Sequence, residues 1–383
     1  MAKNKQIRDI IYGFIEVDEQ ELEIINHRIF QRLRRIKQLA FTDLIYPGAS
    51  HTRFEHSLGV MQMATYMCNH IMDKYGDTLR DNLYGKTKEE FVHEGKKALK
   101  VVRLAALLHD VGHAPFSHTG EELMPYRDAS RKERYKHEDY SIKAIEVYFA
   151  DIIENHKLNS GLGINVDDVT SLLGKRSVKG AGGLHFSLKP IISGQLDADR
   201  ADYLLRDSAH IGVDYGKYDM WRLINSVALA KGEGETPVFA IVEKGLHVAE
   251  SLVIARYHMF QQVYFHKVRR IYDFHATEAL KEIMPLLGCE SVTFPPPSQI
   301  EYYMKLDDWT VLGAISANDN KKHCGIIKNR LHYKMKDETD DPPGNDDIRR
   351  FVKYETEYKG KDHYLYHFGE IFKGDKKASL WYK

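Results

Sequence analysis

The chain has 383 residues, of which 43% are hydrophobic and 29% are charged, so it is long enough to bury a large core. Lysine plus arginine equals aspartate plus glutamate at 55 each, so no global charge attracts nucleic acid or an anionic membrane, and neither is an expected partner. Cys68, Cys289 and Cys324 lie far apart, which argues against a disulfide framework or a thiolate zinc site and favours a reducing cytoplasm. We find neither a signal-peptide core nor the ~18 uninterrupted apolar residues of a membrane span.

Helical periodicity dominates the sequence. Residues 21–40 place apolar side chains at alternating steps of three and four, which predicts one amphipathic helix. Strand signals are few, and the clearest is PVFAIV at 237–242, between two turn sequences. We therefore expect a mainly α fold, a helical bundle with a small β element. The same helical pattern predicts further helices over 55–74, 96–110, 138–154, 195–208 and 245–285.

Polar stretches predict where the helical body is interrupted. Residues 76–95, 156–164 and 174–184 have the composition of surface loops. The run KMKDETDDPPGNDD at 334–347 is highly charged and contains Pro-Pro-Gly, which favours a break in the chain. We expect a core over 1–335 and a short C-terminal appendage over 336–383, whose tyrosine, phenylalanine and lysine content favours a small β element.

An unusual group of ionisable residues ends the apolar run LAALLHDVGHAPFSH at 104–118. His109, Asp110, His113 and His118 follow a segment suited to burial, and a buried charge is costly unless it is paired or bound to a metal. Neutral imidazole and carboxylate groups suit a divalent cation such as Mn, Fe, Zn or Mg. Adjacent helical residues point about 100° apart, so His109 and Asp110 can share one ion only where the helix ends. The alternative is a set of satisfied polar residues at a helix C-terminus.

Three other segments carry similar residues. SHTRFEHSLGV at 50–60 precedes an amphipathic helix, KHEDYS at 136–141 opens one, and SGQLDADRADYLLRDSAHIG at 193–212 alternates acids with arginines. In the last of these, Asp199, Asp202 and Arg206 share one helix face. Each segment alone is also compatible with helix capping or a salt-bridged surface helix. The residues of interest are His51, Arg53, His56, His137, Glu138, Asp197, Asp199, Arg200, Asp202, Arg206 and Asp207.

Together the four segments resemble the signature of the HD-domain phosphohydrolases, a histidine, an adjacent His-Asp pair and a distant aspartate around a metal. The resemblance is to the deoxynucleoside triphosphate (dNTP) triphosphohydrolase branch and covers about residues 8–335, through FQRLRRIKQL at 30–39, YPGASHTRFEHSLGV at 46–60 and ARYHMFQQVYFHK at 255–267 as well. It implies an HD-domain helical bundle with a divalent metal (Mn, Fe, Mg or Zn), and a further Mg carried by the triphosphate. The metal ligands it implies are His56, His109, Asp110 and Asp199.

The same resemblance implies a reaction, the hydrolysis of a dNTP to a deoxynucleoside and inorganic triphosphate. A metal lowers the pKa of bound water and so provides the nucleophile at neutral pH. His118 occupies the position of the general acid, a role that suits a group with a pKa near 6.5. His113 corresponds to a residue that holds the α-phosphate, and His137 with Glu138 to a pair that orients the acid or its water.

A substrate-binding set also follows from the resemblance. The basic members would hold the phosphates, although Arg200 stands where the family usually has lysine. Tyr203 and Tyr264 would flank the sugar, with Tyr264 crowding a ribose 2′ hydroxyl, and Gln38 and Asp207 would contact the 3′ hydroxyl. Surface or core packing is the alternative for each, including a salt bridge from Arg256 to Glu250. The full set is Gln38, Leu39, Arg53, Arg200, Tyr203, Asp207, Arg256, Tyr264 and Lys267.

Partners and alternatives complete the interpretation. Members of the family are dimers or larger, so we expect a homo-oligomer, with an activating nucleotide at a subunit interface through 26–34. Gln31 and Arg34 match that stretch, but Asn26 stands where animal members have an acidic residue that reads guanine. Two other functions stay open: an HD phosphohydrolase acting on nucleoside monophosphates, cyclic nucleotides or single-stranded nucleic acid, and a nucleotide sensor without turnover.

Overall fold

The structure, a computed structural model, describes residues 4–81, 86–130, 132–174, 183–232, 237–339, 344–358, 363–366 and 379–382. Helices form most of this part of the chain, which confirms the mainly α prediction. They are α1 (Glu19–Asn26), α2 (Arg28–Gln31), α3 (Arg53–Leu79), α4 (Lys88–Leu108), α5 (His118–Glu121), α6 (His137–Ala144), α7 (Ala150–Asn155), α8 (Val166–Thr170), α9 (Leu184–Ser187), α10 (Ala198–Ile211), α11 (Met220–Ile224), α12 (Leu246–Met259), α13 (Lys267–Ile283), α14 (Ile300–Tyr303), α15 (Asp308–Ala317), α16 (Lys322–Asn329) and α17 (Asn345–Glu357).

The strands pair in small antiparallel sheets. A hairpin of β1 (Lys5–Asp9) and β2 (Gly13–Val17) precedes the helices. β3 (Val227–Lys231) pairs with β4 (Pro237–Ile241), which confirms the strand predicted at 237–242 and adds its partner. β5 (Lys334–Glu338), β6 (His363–Tyr366) and β7 (Ser379–Tyr382) form the third sheet, in the order β5, β7, β6.

The core is centred on the long helices α3 and α4, which pack against each other, while α10 packs against α3. Met63 and Met67 on α3 and Leu104 and Leu108 on α4 are fully buried. Burying each such side chain stabilises the fold by about 1.5–3 kcal/mol. Ala201 on α10 joins the same core. The packing therefore brings the first turns of α3 and α10 next to the last turn of α4.

Local caps fix those helix ends. At the start of α3 the Thr52 backbone N–H donates to Glu55 Oε1 at 2.9 Å. At the start of α10 the Arg200 backbone N–H donates to the Asp197 side chain at 2.8 Å. Such caps satisfy backbone donors that have no partner within the helix. As a result Arg53, His56 and Asp199 all lie in first helical turns, while His109 lies just past the end of α4.

Two glycines allow backbone segments to approach closely at this junction. A Cβ atom on Gly59 of α3 would lie 2.0 Å from Asp202 Oδ1 and 2.2 Å from Arg206 Nη2 of α10. A Cβ atom on Gly112 would lie 2.2 Å from the Ser141 backbone N of α6. Gly112 thus allows α6 to pack closely against the segment that follows α4, which ends at Leu108. Neither position has room for a larger side chain.

Three predicted helices are interrupted, and in one of them, 138–154, a π-helical turn over Ile145–Phe149 separates α6 from α7. The segment 21–40 breaks at His27, whose backbone is extended (φ −66°, ψ 136°) and whose side chain accepts from the Ile29 N–H at the start of α2. It then passes into a 3₁₀ turn over Arg32–Arg35. The segment 245–285 is divided between α12 and α13 by a π-helical turn over Phe260–Tyr264. Both sides of each break bury apolar residues in one core, so the hydrophobic pattern continues across them.

The predicted loops and the predicted C-terminal region differ in part from the structure. The predicted loop at 76–95 is shorter, because α3 extends to Leu79 and Thr87 caps α4 at Lys88. The predicted loop at 174–184 falls mostly outside the described residues. The C-terminal region contains α17 besides its strands, so it is not a β element alone. The predicted boundary between the core (1–335) and the appendage (336–383) falls inside β5. This division of the chain stays a prediction. Within the described residues no helix combines the length and apolar character needed to cross a membrane.

Candidate active site

The structure brings the four predicted metal ligands together where α3, α4 and α10 meet. His56 Nε2 lies 3.0 Å from Asp199 Oδ1 and 3.7 Å from Asp110 Oδ2. His109 Nε2 lies 3.3 Å from Asp110 Oδ1 and 3.9 Å from Asp199 Oδ1. Ligand atoms of His56, His109 and Asp199 all fall within 4.8 Å of one another. Two imidazoles and two carboxylates are a donor set that divalent transition metals accept.

The outer nitrogen of each histidine is held by the protein. His56 Nδ1 lies 2.8 Å from Asp202 Oδ2, and His109 Nδ1 donates to the Ala106 carbonyl at 2.7 Å. Asp202 is itself held by Arg206 and by the Tyr12 hydroxyl, which donates to Oδ1 at 2.9 Å. Partners of this kind orient a ligating imidazole and direct its other nitrogen at the metal. Both Nε2 atoms therefore face the shared space.

Two observations indicate that this space suits a cation. His109 Nε2 is buried and has no hydrogen-bond partner among the described residues. Burial lowers the pKa of His56, but its hydrogen bonds with Asp199 and Asp202 outweigh burial and raise it to about 10. The carboxylates of Asp199 and Asp202 thus stabilise a positive charge on the His56 ring. A divalent ion bound at His56 Nε2 would displace the proton, as metals do at histidine ligands.

Asp110 is held on its other side by Arg53. Arg53 Nη1 donates to Asp110 Oδ2, and Arg53 Nε donates to Ser117 Oγ at 2.8 Å. Burial raises the pKa of Asp110, but Arg53, His109 and His113 outweigh it and hold the pKa well below the usual range. His113 Nε2 lies 3.3 Å from Asp110 Oδ1. Arg53 therefore orients a predicted metal ligand besides lining the cavity.

A second cluster surrounds Glu121, which the sequence analysis did not single out. His137 Nδ1 pairs with Glu121 Oε1, His118 Nδ1 lies 3.3 Å from Glu121 Oε2, and His113 Nδ1 lies 3.9 Å from Glu121 Oε1. The His113 and His137 rings stack at 3.9 Å. Glu138 is more distant, with its Oε2 at 3.7 Å from His137 Nδ1. The one available sequence signal was the three-residue spacing from His118 to Glu121 on a helical turn.

Charge is distributed unequally among these groups. Burial lowers the pKa of His137, but Glu121 and Glu138 raise it to about 9. Burial raises the pKa of Glu121, yet His137 and His118 hold it far below its usual range. Burial, Arg53 and His137 keep the pKa of His113 well below its usual value. The cluster therefore contains a charged His137–Glu121 pair beside a neutral His113.

His118 reaches the cavity from a constrained turn. Phe116 and Ser117 both have positive φ values, 61° and 54°, which are uncommon for residues with side chains. The Phe116 N–H donates to Asp308 Oδ1 at 2.8 Å, which anchors the turn. The His118 side chain is 64% exposed, in contrast to the buried His113. The His118 side chain is thus accessible to a ligand, and its Nδ1 contacts Glu121.

These residues line a cavity of about 390 Å³. His56 lies behind Asp199, Glu138 lines an adjoining cavity, and Lys267 is exposed and outside both. Arg269 and Arg270 line the first cavity although neither was predicted to do so. The predicted residues that do line it are Gln38, Leu39, Arg53, His109, Asp110, His113, His118, His137, Asp199, Arg200, Tyr203, Asp207, Arg256 and Tyr264.

Arginines are the most numerous residues in the described lining of this cavity. Within the described chain Arg53, Arg200, Arg256, Arg269 and Arg270 line it. Arg200 Nη1 donates to Asp197 Oδ2 and to the Gly194 carbonyl at the start of α10. Burial and the neighbouring Asp199 raise the pKa of Asp197 to about 7. Clustered guanidinium groups offer several donors to a polyanion.

Arg256 faces the cavity and not Glu250. Its guanidinium lies 4.9 Å from the centre of the Phe260 ring, and Arg256 lines the cavity together with Tyr203. Glu250 pairs instead with His247 at 3.1 Å. The alternative of an Arg256–Glu250 salt bridge is therefore not what the structure shows. Burial and Asp199 raise the pKa of Tyr203 to about 12, so its hydroxyl stays protonated.

The end of the cavity that Tyr264 and Asp207 line is polar, and Arg269 donates to the Tyr264 carbonyl there. Tyr264 donates to Asp207 Oδ2 at 2.6 Å, and Asp207 is 1% exposed. Gln38 Oε1 is buried and has no hydrogen-bond partner among the described residues. Leu39 supplies an apolar wall beside them. This end can therefore bind hydroxyl groups, while the arginine end can bind phosphates.

The stretch predicted to bind an activator is engaged within the protein. Arg34 Nε donates to Gln31 Oε1 at 2.9 Å, and the Arg34 guanidinium lies over Phe54 at 3.5 Å. Asn26 is exposed at the end of α1. The activating nucleotide and the homo-oligomer both stay predictions.

Comparison with known proteins bears on this geometry directly. Residues 53–207 match the HD domain, a range that includes all four predicted ligands, and residues 218–336 match the HD associated region. The chain belongs to the HD-domain proteins. The associated region carries Arg256 and Tyr264, so both matched regions contribute to the cavity.

Several relatives are similar over much of the chain. An uncharacterized protein of Methanocaldococcus jannaschii is 36% identical over 73% of this chain and 50% of its own length. The uncharacterized protein YwfO of Bacillus subtilis is 31% identical, over 82% and 66%. The Dictyostelium discoideum protein named deoxynucleoside triphosphate triphosphohydrolase SAMHD1 homolog is 30% identical, over 88% and 60%. The chain thus spans between half and about two thirds of the length of these relatives.

A solved structure has the same fold. The crystal structure of a hypothetical protein from Aquifex aeolicus aligns with a TM-score of 0.72 at 28% identity, covering 99% of this chain and 96% of that one.

Proposed function

We propose that this HD-domain protein is a metal-dependent dNTP triphosphohydrolase, which converts a dNTP to a deoxynucleoside and inorganic triphosphate. The observation that carries the proposal is one cavity in which a His/Asp metal-type cluster, a His–Glu cluster and five arginines of the described chain meet a hydroxyl-binding end. The similarity to a relative named as a dNTP triphosphohydrolase supports it.

His56, His109, Asp110 and Asp199 would hold the divalent cation, with Mn, Fe, Mg or Zn as candidates. Bound there, the ion would supply a water molecule of lowered pKa as the nucleophile at neutral pH. Asp202 and the Ala106 carbonyl keep the two imidazoles in orientation. Arg53 holds Asp110 in its ionised state beside them.

His118 is the proposed proton donor to the leaving 5′ oxygen. Glu121 accepts a hydrogen bond from its Nδ1 side, which leaves Nε2 to face the cavity with the proton to be donated. His137 shares the same carboxylate and balances its charge. Neutral His113 lies between this cluster and Asp110, and its single N–H can serve either Asp110 or a phosphate oxygen.

The basic and polar ends of the cavity would set the orientation of the substrate. Arg53, Arg200 and Arg256, joined by Arg269 and Arg270, would bind the phosphates, which would arrive with Mg. Gln38 and Asp207 would bind the 3′ hydroxyl, and Tyr264 would leave little space for a 2′ hydroxyl. A site built to pair hydroxyl groups discriminates against substrates that lack them.

A product assay tests the proposal. The purified protein is loaded with Mn²⁺, incubated with each dNTP and each ribonucleotide, and the products are separated by ion-exchange chromatography. Deoxynucleoside and triphosphate in equal amounts are expected. Release of orthophosphate, pyrophosphate or a nucleoside monophosphate would contradict the proposal.

Two controls sharpen the assay. His118→Ala should retain metal and lose turnover. Lys217→Ala, a change at an exposed ion pair with Asp214, should behave as the unmodified protein.

A further inference from the structure

His51 lies behind the cavity wall and contacts two residues that line it. It precedes α3, is 2% exposed, and does not itself line the cavity. Its Nε2 lies 2.7 Å from Asp207 Oδ1, and its backbone carbonyl accepts from the Gln38 N–H at 3.0 Å. Gln38 and Asp207 come from opposite parts of the chain. One residue therefore connects the two walls of the polar end.

The hydrogen bonds define the state of the His51 ring. The Asp207 carboxylate accepts from the Tyr264 hydroxyl on Oδ2 and from His51 on Oδ1, so His51 carries its proton on Nε2. His51 Nδ1 is buried and has no hydrogen-bond partner within the described part of the chain. With the proton on Nε2, the Nδ1 lone pair can stay unpaired, because no donor is left without an acceptor.

A second contact prevents the ring from turning. The His51 and His210 rings stack with centres 4.4 Å apart and planes 14° apart. His210 Nε2 lies 3.1 Å from Glu55 Oε2, and Glu55 also caps the start of α3 through Oε1. The same helical turn carries Arg53 and His56. His51 is thereby clamped between α10 and the beginning of α3.

This clamp determines what Asp207 can offer to a ligand. Each carboxylate oxygen accepts one hydrogen bond from the protein and keeps a further acceptor site. With both oxygens held, the carboxylate cannot rotate, and the Tyr264 hydroxyl is fixed in turn. Rigid support of this kind is what a precise binding group requires.

We propose that His51 is a positioning residue that fixes the Asp207 carboxylate, and through it Tyr264, and so sets the preference for a sugar with a 3′ hydroxyl and without a 2′ hydroxyl. The role rests on the proposed function, since it concerns the sugar end of the same cavity. His51 touches neither the reacting atoms nor the substrate.

The test compares pairs of ligands across variants. The unmodified protein, His51→Leu and His51→Gln are each assayed for kcat/KM with a dNTP, its 2′,3′-dideoxy analogue and the matching ribonucleotide. In His51→Leu we expect the advantage of the dNTP over the dideoxy analogue to shrink by roughly three- to tenfold, the worth of one hydrogen bond. The ribonucleotide should become a better substrate relative to the dNTP. His51→Gln should restore much of both preferences, because its amide nitrogen can donate near the same position.

Other outcomes separate this role from a structural one. If His51→Leu lowers turnover of all three nucleotides by one common factor, the preference is set elsewhere and the proposal is wrong. Metal content and melting temperature are measured for each variant. If His51→Leu does not fold, His51→Met, which also lacks a donor to Asp207, replaces it, and unchanged ligand ratios in that variant would equally overturn the proposal.

Failure of the proposed function would be visible separately, as absence of triphosphate release by the unmodified protein. The same comparison is then made by calorimetry, with the deoxynucleoside and dideoxynucleoside as probes. Loss of the 3′-hydroxyl preference in His51→Leu would support the role of His51, and equal binding of both probes by the unmodified protein would contradict it.

Discussion

The two histidine groups of the cavity differ in what holds their outer nitrogens. His56 and His109 are backed by Asp202 and by a backbone carbonyl, so that each turns Nε2 to a common space with Asp110 and Asp199. His118 and His137 instead share the carboxylate of Glu121, which keeps His137 charged and leaves His118 exposed. The first arrangement suits coordination, and the second suits proton transfer.

The difference shows that the partner of an imidazole, more than the imidazole itself, decides its chemistry. A partner that fixes one tautomer leaves a lone pair for a cation. A carboxylate shared by two rings stabilises a proton that can be passed on. Substitutions in the two histidine groups should therefore impair the protein in different ways.

The largest effect is expected on the coordinating side. His109→Ala removes a proposed ligand whose Nε2 is buried and has no hydrogen-bond partner in the described structure. Changes to the partners of metal ligands already cost about 10–100-fold in affinity or activity, so loss of a ligand should reduce turnover to background. Metal analysis and the product assay measure this together. Full metal content and turnover in a folded His109→Ala protein would contradict the assignment.

The proton-transfer side should lose rate without losing metal. His118→Ala is expected to lower kcat by about 10²–10⁴-fold, the usual contribution of a general acid. An aryl phosphodiester such as bis(p-nitrophenyl) phosphate releases a stable anion, so the same change should cost much less with that substrate. An equal loss with both kinds of leaving group would show that His118 does not donate the proton.

A change at Asp202 tests whether the backing of His56 acts through the metal. Asp202→Asn keeps the size of the side chain but loses its charge, and we expect apparent metal affinity to fall by about 10–100-fold. Turnover at saturating metal should recover towards that of the unmodified protein. A turnover that stays low at saturating metal would indicate that Asp202 acts in another way.

The charged pair on the other side should appear in the pH dependence of stability. The folded-state pKa of His137 is raised from 6.5 to about 9, so its contribution is present below about pH 6.5 and lost as the pH rises through about 9. The shift corresponds to at most about 3 kcal/mol in the free energy of unfolding. Glu121 has a lowered pKa, so its own contribution is lost only at acid pH.

Urea denaturation of the metal-free protein between pH 6 and 10 measures this contribution. Glu121→Gln serves as the matched variant, and its stability should decline less across the same range. Parallel curves for the two proteins would show that the pair does not stabilise the fold.

Much of the cavity could be predicted from the sequence, because ordered motifs carry it. The four proposed ligands lie in recognisable segments, and the structure brings them together, although their role as ligands stays a prediction. Glu121 could not be singled out, since its role arises only when α5 and α6 meet. His27 shows the same limit for the fold: an extended residue interrupts a continuous apolar pattern, and periodicity does not register a backbone change that keeps both segments in one core.

Gly59 gives the site a vulnerability that an inventory of functional groups would miss. A single methyl group there would collide with the Asp202 carboxylate and the Arg206 guanidinium. The displaced Asp202 carboxylate would lose its hydrogen bond with His56 Nδ1, so the orientation of that proposed metal ligand would change. A genetic screen for inactive variants should therefore recover Gly59→Ala beside changes of the histidines and aspartates, even though this position has no side chain of its own.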